Sequence, residues 1–305
     1  MFYISRLLKK VGHIGFTSAC LLPFCGCGAP TSTENQPTSA PSQSTTVNSE
    51  SAPAPEQANS QTNDDNKMSP QIAYDQSFSE AVLTDVLDGQ QLPLPLTQSG
   101  KKTGVLRMEV EKNWSSVKLV DNAGKPYHSH VVIQTSEGPI EIELTPEYAP
   151  NHVRNFLVLC KIGYYEGLRF ERIIHQKAAL DGNETHVDLI VAGCPYGTGD
   201  EGFGHLGYFV RAENREQVKH QEGSVGIWHE EDPDSAGTRF YITLGPAPAL
   251  DGKFSVIGRV VKGLEIARKI GDKPTQNPQL PPDNEKPQTP IVIDKTTILN
   301  AKVPE

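Results

Sequence analysis

Apolar and polar positions follow two rhythms along this chain. In GPIEIELT, Ile140, Ile142 and Leu144 alternate with polar residues, and with the preceding HVVIQTS they predict a β-hairpin. APNHVRNFLVLCKIG instead places Val153, Phe156, Leu157 and Cys160 on one helical face, with Asn151 as cap and Gly163 as stop. Short apolar runs follow: LRFERII, VDLIVAGC, GYFVRA, GSVGIWH, RFYITL, FSVIGRVV and PIVIDKTTIL predict strands, and GLEIARKIG a second short helix. Many short strands with two helices predict a mainly β domain over residues 129–305, a closed antiparallel barrel rather than a doubly wound sheet. The Pro/Asn/Gln-rich stretch 271–289 reads as a surface loop before the last strand.

The pattern is weaker upstream. SFSEAVLTDVL carries Phe78, Val82, Leu83, Val86 and Leu87 at helical spacing, with Ser77 as N-cap and Glu80 three residues on. LPLPL breaks that helix, and GVLRMEVE and SSVKLVDNAGKPY read as short strands with a turn. Residues 69–128 are expected to form an N-terminal extension or a small subdomain. Residues 28–68 hold almost no large apolar side chain, cannot offset chain entropy by burial, and are expected to be a disordered linker.

Charge narrows the partners. A formal net charge of -9 and no basic block beyond the extreme N-terminus exclude nucleic acid, whose phosphates need a cationic face. At the start, Arg6, Lys9 and Lys10 precede a short apolar core, VGHIGFTSACLLPF, interrupted by His13, Gly15 and Pro23 and too short for a membrane span. With FCGCGAP after it, residues 1–27 resemble a bacterial lipoprotein signal, with lipidation at Cys27. An ordinary cleaved signal and an uncleaved anchor are the alternatives. Any of the three implies export to the cell envelope, and the lipoprotein reading implies a membrane-anchored protein on the periplasmic or outer surface. Of five cysteines only Cys160 and Cys194 fall beyond this segment, as free thiols or as a disulfide. No Cys/His spacing fits a metal. GTGDEG satisfies GxGxxG but opens no helix, and DGNETHVD lacks the Gly and closing Glu of a calcium loop.

GPIEIELTPEYAPNHVRNFLVLCKIGYYEGLRFERII, GTGDEGFGHLGYFVRAE, AGTRFYITLGPAPALDGKFSVIGRVVKGLEIARKI and PIVIDKTTI together, in order, resemble a cyclophilin-type peptidyl-prolyl isomerase from about Val131 to Leu299. The resemblance implies an eight-stranded closed antiparallel barrel with two capping helices, catalysing rotation about X-Pro bonds. That rotation faces a barrier of roughly 18–20 kcal/mol but makes and breaks no bond, so neither cofactor nor metal is implied. A guanidinium aimed at the prolyl amide stabilises the twisted state, whose nitrogen lone pair is localised, more than the planar one.

Arg172 falls on the family's catalytic arginine. Leu189, Val191, Arg239, Tyr241, Leu250 and Phe254 fall on its substrate groove. Several depart from the family pattern: Asp188 replaces an aromatic, Val191 and Arg239 replace Gln, Tyr241 replaces Phe and Phe254 replaces His, while Ala249 stands where some members have Trp. The insertion HQKAALDGNETHVD lengthens the connection into the groove strand, Trp228 abuts the groove, and acidic WHEEDPDSAG brings His229 or Glu230 towards it. Two or three lost hydrogen bonds of about 1 kcal/mol each would slow the reaction roughly 10–1000-fold without abolishing it. Two expectations follow: an isomerase of reduced activity, or a non-catalytic module binding proline peptides or a protein. For the first, the partners are proline-containing segments of envelope or secreted proteins, and the chain acts as a monomer.

Overall fold

The computed structural model describes residues 74–180, 183–277, 279 and 283–299. The expected signal, Cys27 and linker lie outside them. Among the described residues ten strands form: β1 Val82–Leu83, β2 His130–Thr135, β3 Gly138–Leu144, β4 Arg169–Leu180, β5 Asn183–Ala192, β6 Phe209–Val210, β7 Ser224–Ile227, β8 Phe240–Thr243, β9 Val256–Lys262 and β10 Ile291–Leu299. The α-helices of the described residues are α1 Phe78–Ala81, α2 Thr103–Asn113, α3 Pro150–Lys161 and α4 Leu264–Gly271. Eight strands close an antiparallel barrel in the order β10-β2-β3-β9-β7-β8-β5-β4, and β1 pairs with β6 in a separate ribbon.

The alternation read in β2 and β3 is what the barrel uses. Val131 faces Ile142 and Ile133 faces Ile140 across the hairpin, all four fully buried. Val153, Phe156 and Leu157 of α3 and Ala267 and Ile270 of α4 cap the same core. Asn151 lies within α3 and is not its cap. Pro150, which has no N–H to satisfy, starts the helix after Ala149, and the Asn151 and His152 backbone N–H groups donate to the Glu213 carboxylate at 3.1 and 2.9 Å. Cys160 and Cys194 are buried free thiols.

Three local expectations are corrected. GVLRMEVE forms helix α2, not a strand. Its apolar residues fit either period, but Leu106, Val110 and the following Trp114 are the buried ones, while Val105 and Met108 face solvent. SFSEAVLTDVL is helical only to Ala81. Ser77 N–H donates to Glu80 as expected of a cap, but Val82 and Leu83 then pair with Val210 and Phe209, and sheet pairing overrides the helical spacing. SSVKLVDNAGKPY forms no strand. Its turn is held by Asp121, whose carboxylate accepts from the Ala123 and Lys125 N–H groups, with a single bridge between Val120 and Pro126.

The segment from Tyr74 to Leu119 shares the barrel's core. Trp114 is 1 % exposed, meets Phe78 edge-to-face at 5.4 Å, lies under the Arg154 guanidinium of α3 and donates from Nε1 to the Gln76 carbonyl at 3.0 Å. Phe78 in turn meets Tyr208 at 5.3 Å. Trp114→Ala is therefore expected to cost about 3–5 kcal/mol in urea unfolding and to leave one cooperative transition. A separate early transition, with the barrel's midpoint unmoved, would show that the two parts do not share a core.

Candidate active site

Strand β4 carries an extra residue where it pairs with β5. Phe170 faces Ala192 and Arg172 faces Val191, so Glu171 is a bulge. Phe170 and Ile173 enter the barrel core, whereas Glu171 and Arg172, consecutive and both buried, enter a polar cluster outside it. The Arg172 Nε and Nη2 groups donate to the Gly199 carbonyl at 2.9 and 2.6 Å, and Nη1 donates to the Glu285 carboxylate at 2.8 Å. Gly199 sits at φ +66°, and a Cβ there would lie 2.8 Å from Glu171 Cγ, so only glycine brings its carbonyl this close. Among the described residues, each terminal nitrogen of Arg172 keeps one further N–H for another partner.

Beside the arginine lies a second apolar cluster. Leu189, Val191, Tyr241, Leu250 and Phe254, five of the six groove residues read from sequence, are together in it. All are covered, none being more than 2 % exposed. Trp228 and Ala249 pack among them, and so do Ala178 and Val187. The last two come from the insertion HQKAALDGNETHVD, within which β4 and β5 continue as a paired hairpin as far as Leu180 and Asn183. Burial alternates there, with Ala178, Val187 and Leu189 covered and His175 and Lys177 exposed, so the inserted residues keep the pleat of the barrel strands. Strand alternation turns Asp188 off the groove, where its carboxylate bonds His175 Nδ1 at 2.8 Å.

Arg239 stands apart from the apolar five. It is 1 % exposed, with Nε on Glu171 at 2.9 Å, Nη1 on Glu230 at 3.1 Å and its guanidinium over Trp228 at 5.1 Å. It is thus the cation of a buried ion-pair network. His229 stacks on Phe254 at 4.2 Å. The added hydroxyl of Tyr241 meets His220 Nε2 at 2.7 Å, and His220 Nδ1 meets Asp251 at 3.0 Å. Glu171, Glu285, His220 and Asp251 escaped notice in the sequence. Each lies in a loop or beside a stronger motif, and its role comes from partners 21 to 113 residues away.

The Arg172 acceptor is itself held from outside the barrel. Residues 91–98 run along loop 194–207: Gln91 N–H donates to Gly202 O at 2.9 Å, Gln98 N–H to Pro195 O at 2.7 Å and Leu94 N–H to Tyr196 Oη at 2.7 Å. His205 accepts from Gly207 N–H on Nδ1, so Nε2 is its donor to Gln91 O at 2.9 Å. The extension therefore fixes the loop that carries Gly199.

A closed eight-stranded barrel with an arginine beside an apolar cluster is the arrangement that the resemblance to cyclophilin-type isomerases implies. The family model for cyclophilin-type peptidyl-prolyl cis-trans isomerases matches residues 130–298. A peptidyl-prolyl cis-trans isomerase of Arabidopsis thaliana is 34 % identical over 165 residues, 54 % of this chain and 93 % of that one. Another, from Schizosaccharomyces pombe, is 33 % identical over 171 residues, 56 % of this chain and 99 % of its own. A crystal structure of a cyclophilin-type isomerase from Cryptosporidium parvum aligns with TM-score 0.47 and 24 % identity over 57 % of this chain and 98 % of that one. This chain belongs to the cyclophilin-type peptidyl-prolyl cis-trans isomerases, a family of enzymes.

The buried network has a pH signature. Burial raises the carboxyls of Glu171 and Glu230 above their ordinary range, although Arg239 opposes the shift. Both therefore favour folding fully below the unfolded-state value, and that contribution is lost as pH rises through the raised folded values. Glu230→Gln is expected to make unfolding free energy fall less steeply between about pH 4 and pH 7 than in the wild type. Identical slopes in guanidinium unfolding at pH 4, 5.5 and 7 would contradict this.

Proposed function

We propose that this chain is a peptidyl-prolyl isomerase of reduced activity, working as a monomer on proline-containing segments of exported or envelope proteins. Its support is one juxtaposition: Arg172 on β4 lies alongside the apolar cluster of Leu189, Val191, Tyr241, Leu250 and Phe254. Arg172 supplies the donor that favours a twisted prolyl amide, and the cluster supplies apolar walls for the ring. The rate is limited because those walls are covered and Glu285 already holds the guanidinium, so a competent groove must first open. Each 1.4 kcal/mol of that opening lowers the apparent rate about tenfold.

A proline tetrapeptide followed by exchange NMR tests this reading. The wild type is expected to accelerate isomerisation, and Arg172→Ala to lower kcat/KM at least about 100-fold, measured at a temperature where urea unfolding shows the variant still folded, since the change also strips buried Glu285 of its ion-pair partner and costs about 3–5 kcal/mol. Equal rates for the two would remove Arg172 from catalysis. The covered groove also favours a second reading, a module that binds proline peptides or a protein without turning them over. Saturable binding with no acceleration by the wild type would establish it.

For placement, the signal-like residues 1–27 support export and anchoring through a lipid on Cys27, or through an uncleaved signal. Labelling cells with a radioactive fatty acid should mark the wild type and not Cys27→Ser. An unlabelled wild type released to the soluble fraction would refute the lipid anchor.

A further inference from the structure

A cavity of about 400 Å³ opens between β4, the end of α4 and the chain that leads to β10. It shares Glu285 with the arginine site, and His175, Gln176, Asp272, Lys273 and Asn284 also line it. Its positive charges are met mainly from outside, Lys273 by Glu137 at 2.8 Å and His175 Nδ1 by Asp188 at 2.8 Å, while His175 Nε2 meets the Gly271 carbonyl of the lining at 3.1 Å. Asp272, by contrast, has no ion-pair partner among the described residues, and neither Glu137 nor Asp188 lines the cavity. The cavity also receives the carboxyl end of α4, where the helix dipole is negative. Asn284 Oδ1, an acceptor, is buried there with no donor among the described residues. One unmatched acceptor and a carboxylate without an ion-pair partner suit a cation that carries N–H donors.

Glu285 connects this cavity to the chemistry. Its Oε2 accepts from Arg172 at 2.8 Å and its Oε1 from Gln176 Nε2 at 2.7 Å. A guanidinium bound to a full carboxylate is a weaker donor to a prolyl amide, because the amide must compete with an ion for the same charge. A second cation in the cavity would share Glu285 and relax that hold.

Resting on the isomerase reading, we propose that this cavity is a subsite for a lysine or arginine side chain of the substrate, and that this side chain draws Glu285 from Arg172 and so switches the groove on. The specificity is then for proline segments carrying a nearby basic residue. Glu285 acts through Arg172 and is a positioning residue.

The test uses proline tetrapeptides in which each other position in turn is Lys, Gln or Glu. Isomerisation is read by exchange NMR and binding by calorimetry on the same protein. At one position, kcat/KM for the Lys peptide is expected to exceed that for the Gln peptide about tenfold, with the Glu peptide lowest. Asp272→Asn, an exposed position, should narrow the Lys-to-Gln ratio about threefold. Glu285→Gln should abolish the ratio and raise the rate on the Gln peptide, with its folding checked by urea unfolding. Equal binding and equal rates for Lys and Gln at every position would overturn the subsite. A slower Gln-peptide rate in a folded Glu285→Gln protein would overturn the restraining role of Glu285. Tighter binding of the Lys peptide with no acceleration of any peptide would keep the subsite and defeat the isomerase reading instead.

Discussion

The two arginines buried beside the apolar cluster, Arg172 and Arg239, impose a constraint that the surrounding structure has to meet. A guanidinium removed from water without a partner costs several kcal/mol, so Arg172 and Arg239 each need acceptors wherever they lie. The acceptors come from four separate stretches of chain: Glu171 from the β4 bulge, Gly199 from loop 194–207, Glu230 from the stretch after β7, and Glu285 from the turn before β10. Those stretches must converge on one face of the barrel for the charges to be matched. The bulge allows it, because it turns two successive side chains of β4 out of the barrel core.

The same constraint gives the N-terminal extension a place in the site. Gly199 can accept from Arg172 only where its loop is held, and residues 91–98 hold that loop through backbone hydrogen bonds. The extension in turn is fixed by Trp114, Phe78 and Tyr208 packing into the barrel's own core. Residues outside the family match thus bear on the arginine through two layers of contact. On the other side, the continued β4–β5 hairpin and Trp228 cover the apolar walls. Groove closure and charge matching are therefore two results of one convergence.

Much of the barrel was legible beforehand, since β2, β3 and α3 carry strict apolar periods that allow one buried face. Errors fell where periods were ambiguous. The residues of α2 fit strand or helix until one knows that Leu106, Val110 and Trp114 are the covered ones. The insertion HQKAALDGNETHVD carries no clear apolar period, so its pairing as a hairpin shows only once β4 and β5 lie side by side. Of the site, Arg172 and the five apolar residues could be placed from local motifs. Arg239 could be placed but not interpreted, because its meaning depends on Glu171 and Glu230.

The sequence by itself determined the class of fold and the position of the arginine on its strand, because both follow from short-range periodicity and from motifs in a fixed order. Only the tertiary structure decided what that arginine touches. Glu285 lies 113 residues further along the chain, in a segment with no periodic signal, and a carboxylate's partner is set by distance in space.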